Sequence, residues 1–184
     1  PAWNSSDVIN DTTGINIYTT STRFSTQATK NSVSNKWFCG RPLLYFDTST
    51  IPSGKTITSL KLKITLQSAV VDDSYGETVG VFEWDEFALA RGTRIQTTDF
   101  DGFDIQGPAM SPGTTGDVET TWDITGTLLS NFQSNYTSGY GFMLRNRLDY
   151  DGSSLTPAGD NYHRFYSNEH SEASKRPKLE VTYE

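Results

Sequence analysis

The chain carries one cysteine, Cys39, so it can form no internal disulfide. Cys39 stands beside Trp37 and Phe38 and fits two readings, a small buried hydrophobe or a reactive thiol. No apolar run approaches the ~20 residues of a membrane helix, so no segment reads as a helical span. Acidic residues outnumber basic ones, with a formal charge of −7. That argues against a nucleic-acid partner, whose binding needs a basic face, and against an anionic membrane surface. PAWNSS at residues 1–6 has neither the basic start nor the apolar core of a signal peptide. A removed signal, an excised domain and an initiator Met lost before Pro1 all remain open. Catalytic signatures are missing too: there is no G-x-S-x-G elbow, no Gly-rich phosphate loop and no HExxH. The chain therefore reads as a non-enzyme. A carboxylate pair for glycoside hydrolysis is a property of the fold, which sequence does not test.

What is present is Thr, Ser, Gly, Asn and aromatic residues, the composition of an all-β extracellular or particle-surface domain. Val8-Ile9-Asn10 and Ile15–Tyr18 read as short strands around DTTG, and residues 19–36 as a long polar loop or a meandering edge. Leu43 and Tyr45 share one face of a strand, Leu44 and Phe46 the other. IPSGK (51–55) is a turn. Leu60, Leu62, Ile64 and Leu66 alternate with Lys61, Lys63 and Thr65, which predicts a half-buried antiparallel strand. Further strands are expected at 79–84, 118–124, 139–144 and 162–167, and the segment 85–117 reads as an irregular insertion. Leu128, Leu129 and Phe132 are spaced for one short helix near 126–134. The alternation PKLEVTY runs to the end of the chain, and a terminal strand is ordered only by pairing with a sheet built elsewhere. The expected fold is a jelly-roll β-sandwich of antiparallel strands forming a single domain over 1–184.

Three blocks carry a family likeness: RPLLYFDTSTIPSGKTITSLKLKITL, WDITGTLLSNFQSNYTSGYGFML and FYSNEHSEASKRPKLEVTY. Their order and spacing over residues 41–184 resemble the domain family named after a DNRLRE motif. The literal motif is absent; the nearest stretch is Arg145–Asp151. Leu60 stands where the family often has Ala, and 85–117 lies outside the pattern. The resemblance implies a jelly roll of extracellular proteins. Some members are carbohydrate-binding modules related to family 96 that attach to acidic polysaccharides, and others belong to surface or phage proteins. It implies no catalytic residues.

Arg145, Arg147, Asp149 and Tyr150, with Tyr162, His163 and Arg164, form the densest polar-aromatic set in the chain. Tyr faces stack on sugar rings and Arg forks grip sugar carboxylates, so Arg145, Arg147, Asp149, Tyr150, Tyr162 and Arg164 are the candidate ligand-binding residues. The plain alternative is a row of cross-strand ion pairs. DFDGFD places Asp99, Asp101 and Asp104 around a glycine, a candidate Ca²⁺ loop or an acidic solvated one. Glu169, after Ser167, is expected to bond loop amides or pair an Arg. His163, His170 and Glu172 lack zinc spacing. Two functions compete. One is a non-catalytic carbohydrate-binding or adhesion module, binding a polysaccharide or cell-surface glycan at roughly micromolar to millimolar Kd. The other is a structural subunit of a surface assembly, with itself or a capsid or fibre protein as partner. Both place the chain outside the cell or on a virion or cell surface.

Overall fold

The computed structural model describes residues 21–31, 36–71, 78–84, 103–137, 139–150 and 160–184. The expected strands at 8–10 and 15–18 lie outside them. Among the described residues ten strands run in the order β1 (Arg23–Asn31), β2 (Lys36–Gly40), β3 (Leu43–Phe46), β4 (Ile57–Val71), β5 (Val79–Trp84), β6 (Phe103–Met110), β7 (Glu119–Asp123), β8 (Tyr140–Asn146), β9 (Asn161–Tyr166) and β10 (Lys178–Tyr183). Helix α1 (Gly126–Asn135) precedes β8 and a single turn, α2 (Arg147–Tyr150), follows it. One sheet has the order β10-β4-β9-β1-β2, with β7 also paired to β4; the other has the order β3-β8-β5-β6. All pairings are antiparallel. The protein is an all-β sandwich with one short helix, and its strands cross between sheets as expected of a jelly roll.

The core follows from the alternation in β4. Leu60, Leu62, Ile64 and Leu66 are buried, and they meet Val79, Val81, Trp122, Phe142, Leu144 and Phe165 from both sheets. Each such side chain contributes about 1.5–3 kcal/mol through burial. Leu128 and Phe132 of α1 point into the same core one helical turn apart. Gln133 pins the helix to the 51–55 turn: its carbonyl oxygen accepts from Ile57 N–H at 2.6 Å, and its amide donates to the Lys55 carbonyl at 2.8 Å. The Tyr136 hydroxyl donates to the Pro52 carbonyl at 3.0 Å and accepts from Lys55 N–H at 3.0 Å.

Two expectations are corrected. Within 19–36, residues 23–31 form β1, because Phe24, Thr26 and Ala28 alternate toward the interior while Arg23, Ser25 and Gln27 do not. Within 85–117, residues 103–110 form β6, paired to β5. At the C-terminus, β10 pairs with β4, and Leu179 and Val181 pack against the core. Tyr183 does not: a register shift after Thr182 leaves it 40% exposed, with Lys55 Nζ 5.9 Å from its ring centre.

Candidate functional site

The six candidate ligand residues do not form one face. Gly80, Phe82 and Trp84 on β5, with Met143 and Arg145 on β8, alternate away from the central core, yet all are buried. Close approach here requires glycine: a Cβ on Gly141 would lie 2.7 Å from the Trp84 ring. On this side Tyr150 packs edge-on against Phe82, with ring centres 5.3 Å apart, and the Arg145 guanidinium lies 5.3 Å from the Phe82 ring centre.

Asp149 is wholly buried there between two arginines. Arg41 donates from Nε to Oδ2 at 2.9 Å and from Nη2 to Oδ1 at 2.7 Å. Arg145 donates from Nε to Oδ2 at 2.8 Å and from Nη2 to the Asp149 carbonyl at 2.8 Å. Burial alone would raise the Asp149 pKa, but the two guanidinium groups together outweigh it and hold the carboxyl below the usual range. Cys39 lies close by. Burial, and then the charge of Asp149, push its thiol pKa well up. A thiol held protonated is a poor nucleophile, which favours the structural reading of Cys39. Arg145 and Asp149 are therefore buried scaffold rather than an exposed contact surface. Arg147 starts α2, is half-buried, and its backbone N–H donates to the Thr78 carbonyl at 2.9 Å.

Tyr162 and Arg164 lie instead on the outer face of the other sheet. Strand register arranges that face in rungs. One reads Gln27–Tyr162–Val70, the next Ser25–Arg164–Ser68, and a third pairs Arg23 with Tyr166. All eight side chains are exposed or half-buried. The Arg164 guanidinium lies 4.4 Å from the Tyr162 ring centre. A contact of this kind restrains the fork beside the ring. Farther along the same face the polar residues neutralise one another: Lys63 with Glu180 at 2.6 Å, Lys178 with Glu119 at 2.8 Å and Lys61 with Asp123 at 3.6 Å. These residues lie outside the polar-aromatic set of the sequence; within that set Arg145 pairs with Asp149 four residues on, buried rather than across strands.

Beyond β9, Ser167 carries the local structure expected of Glu169. Its hydroxyl donates to the Ser21 carbonyl at 2.5 Å and accepts from Glu169 N–H at 3.1 Å. The Glu169 carboxylate is exposed and accepts from the Asn168 amide at 3.2 Å. The Tyr166 hydroxyl donates to Asp117 at 3.0 Å, Lys175 pairs with Asp117 at 2.8 Å, and His170 packs on the Tyr166 ring. This cluster docks the 167–176 segment onto the sheet ahead of β10.

His163 faces inward and does not join His170. Among the described residues, no three His, Cys, Asp or Glu side chains are grouped to hold a metal. Asp99 and Asp101 lie outside the described residues, as does the side chain of Asp104 on β6. No described helix is long and apolar enough to cross a membrane. The site residues that sequence reasoning missed are Ser25, Gln27 and Ser68. Only strand register joins them to Tyr162 and Arg164, and β1 itself has too few large apolar residues to announce a strand. No protein-family model and no curated protein matches the chain.

Proposed function

We propose that this chain is a non-catalytic carbohydrate-binding module of the DNRLRE-like type, working outside the cell or on a particle surface. The observation that carries this reading is the Arg164–Tyr162 stack at 4.4 Å on a solvent-facing sheet, ringed by the hydrogen-bonding side chains of Ser25, Gln27 and Ser68. A flat face of this kind offers an aromatic platform for a sugar ring and a fork for a uronate or sulfate. Amide and hydroxyl groups beside it suit sugar hydroxyls. The two buried carboxylates among the described residues support a non-catalytic role. Asp149 is held by Arg41 and Arg145, and Glu83 accepts from the Tyr140 hydroxyl and the Asn131 amide, each at 2.6 Å. Neither is placed to trade protons with a substrate.

The test is affinity electrophoresis of the protein through acidic and neutral polysaccharides, with and without Ca²⁺. Retardation by an acidic glycan is expected, lost by at least tenfold in a Tyr162→Ala, Arg164→Ala double variant whose melting is unchanged. Equal retardation of that variant would move binding off this face. A Ca²⁺ requirement would bring Asp99, Asp101 and Asp104 back into the site. No retardation by any glycan, together with a defined self-assembly in ultracentrifugation, would favour the structural-subunit reading.

A further inference from the structure

Strand β9 presents Tyr162 and Arg164 outward and, between them, His163 inward. The imidazole is fully enclosed. It stacks on Phe165 with ring centres 6.3 Å apart and planes 20° apart, and its neighbours across the sheet are Thr26 on β1 and Ala69 on β4. Among the described residues neither Nδ1 nor Nε2 has a hydrogen-bond partner, and the adjacent Thr26 Oγ1 has none. The side chains of Lys30 on β1 and Lys36 on β2 lie outside the described residues; the charged groups described on the surrounding elements lie elsewhere. Arg23 on β1, Lys61 and Lys63 on β4 and Arg164 on β9 belong to the outer face. Arg145 on β8 and Asp149 on α2 are engaged with each other, Arg147 opens α2, and Cys39 on β2 is held as a thiol. Desolvation alone pushes the His163 pKa down to about 4, with no charged neighbour contributing.

We propose that His163 is an acid trigger built into the sheet: taking up a proton at the ring forces β9 to part from β1 and β4, because no described carboxylate faces the ring to balance the charge. Buried charge without a partner is among the costliest arrangements a core can hold, so the ring must reach water to ionise. The sign follows from linkage. The unfolded or opened chain binds the proton more readily than the closed one. Stability is therefore full above pH 6.5, falls as pH drops from 6.5 toward about 4, and is unchanged by this group below that. The closed-to-open ratio should fall on the order of 10²-fold over that window. Opening would also disperse the Tyr162–Arg164 pair, since both belong to the same strand, but the inference stands whether or not that face binds a glycan.

The experiment follows amide hydrogen exchange and thermal melting of the whole chain at pH 7.5, 6.5, 5.5 and 4.5, with NMR titration of the histidine ring protons. Protection factors, which correct for the slower intrinsic exchange in acid, should fall tens-fold in β1 and β9 toward pH 4.5, well ahead of β5 and β8. His163→Gln and His163→Phe variants should lose that dependence, while His170→Gln keeps it. Where neither His163 variant folds, the native ring decides: its signals should stay untitrated in the folded protein through pH 6.5 and 5.5. A His163 midpoint near 6.5 in the folded state overturns the proposal. So do unchanged protection factors in β1 and β9 at pH 4.5, or an unaltered pH slope in a folded His163 variant.

Discussion

Arg145 shows how one residue can be read correctly as chemistry and wrongly as place. Its sequence neighbours, Arg147, Asp149 and Tyr150, suggest an exposed binding cluster, but β8 alternates it onto a buried side where Asp149 closes back four residues later. Sequence showed that these residues belong together. It did not show Arg41, which arrives from more than 100 residues away to complete the pair. Such buried pairs are severe when broken, because the remaining charge has no water to return to. Arg145→Ala or Asp149→Asn should therefore cost about 3–5 kcal/mol in urea unfolding, whereas Arg164→Ala on the outer face should leave the midpoint nearly unchanged. If Arg145→Ala is as mild as Arg164→Ala, the buried pair contributes nothing to holding α2. The Asp149 contribution has its own pH window. The folded pKa is depressed below the ordinary aspartate value, so the stabilisation is present above that value and lost as pH falls through the lower folded one. Acid loss from Asp149 thus begins about where that of His163 ends, and the decline of a melt series below about pH 4 should be weaker in Asp149→Asn than in the parent.

Among the elements, those with strong apolar alternation were legible: β4, β5, β8, the helix at 126–135 and the terminal β10 all stand where their patterns place them. β1 and β6 were not. Among its described side chains RFSTQATKN turns one large apolar group inward, Phe24, followed by the small or polar Thr26 and Ala28, which carry little period-2 signal, and the β6 sequence contains Gly107 and Pro108, residues that demote a strand assignment. Both strands exist because a neighbouring strand supplies the ladder, a long-range cause invisible along the chain. β10 makes the converse point. Truncation after Lys175 removes Leu179 and Val181 from the core and the two backbone bonds between Thr56 and Glu184, at 3.0 and 3.1 Å. Half-buried side chains yield less than the full ~1.5–3 kcal/mol each. Even so, their loss with the β4 ladder approaches the ~5–15 kcal/mol that holds a domain together. The shortened chain should show no cooperative melt near that of the parent; a near-parental melt would mean that β10 is dispensable. Gln133→Ala is the milder test, expected to cost about 1–3 kcal/mol by leaving Ile57 N–H and the Lys55 carbonyl without their partner.

At the scale of the whole molecule, charge sets a condition that no single contact reveals. The protein carries −7 at neutral pH, and the lysines on the outer sheet face are largely spent on Glu119, Asp123 and Glu180. A polyuronate or sulfated chain therefore meets net repulsion at a distance and attraction only on arrival at Arg164 and Arg23. Screening separates the two effects. The Debye length shrinks from about 30 Å at 0.01 M salt to about 8 Å at 0.15 M, so added salt removes the distant repulsion well before it weakens a fork in contact. The association rate constant for an acidic glycan should accordingly rise several-fold between those two salt concentrations, the opposite of the usual trend for steered binding between unlike charges. A neutral glycan should show no such slope. Arg164→Ala should keep the slope and act on dissociation, because a contact residue governs how long the complex lasts more than how often it forms. Surface plasmon resonance on immobilised polysaccharide reads both rates. An association rate that falls as salt is added would show that a local positive field dominates the approach, and would place the binding face somewhere more basic than the Tyr162–Arg164 rungs.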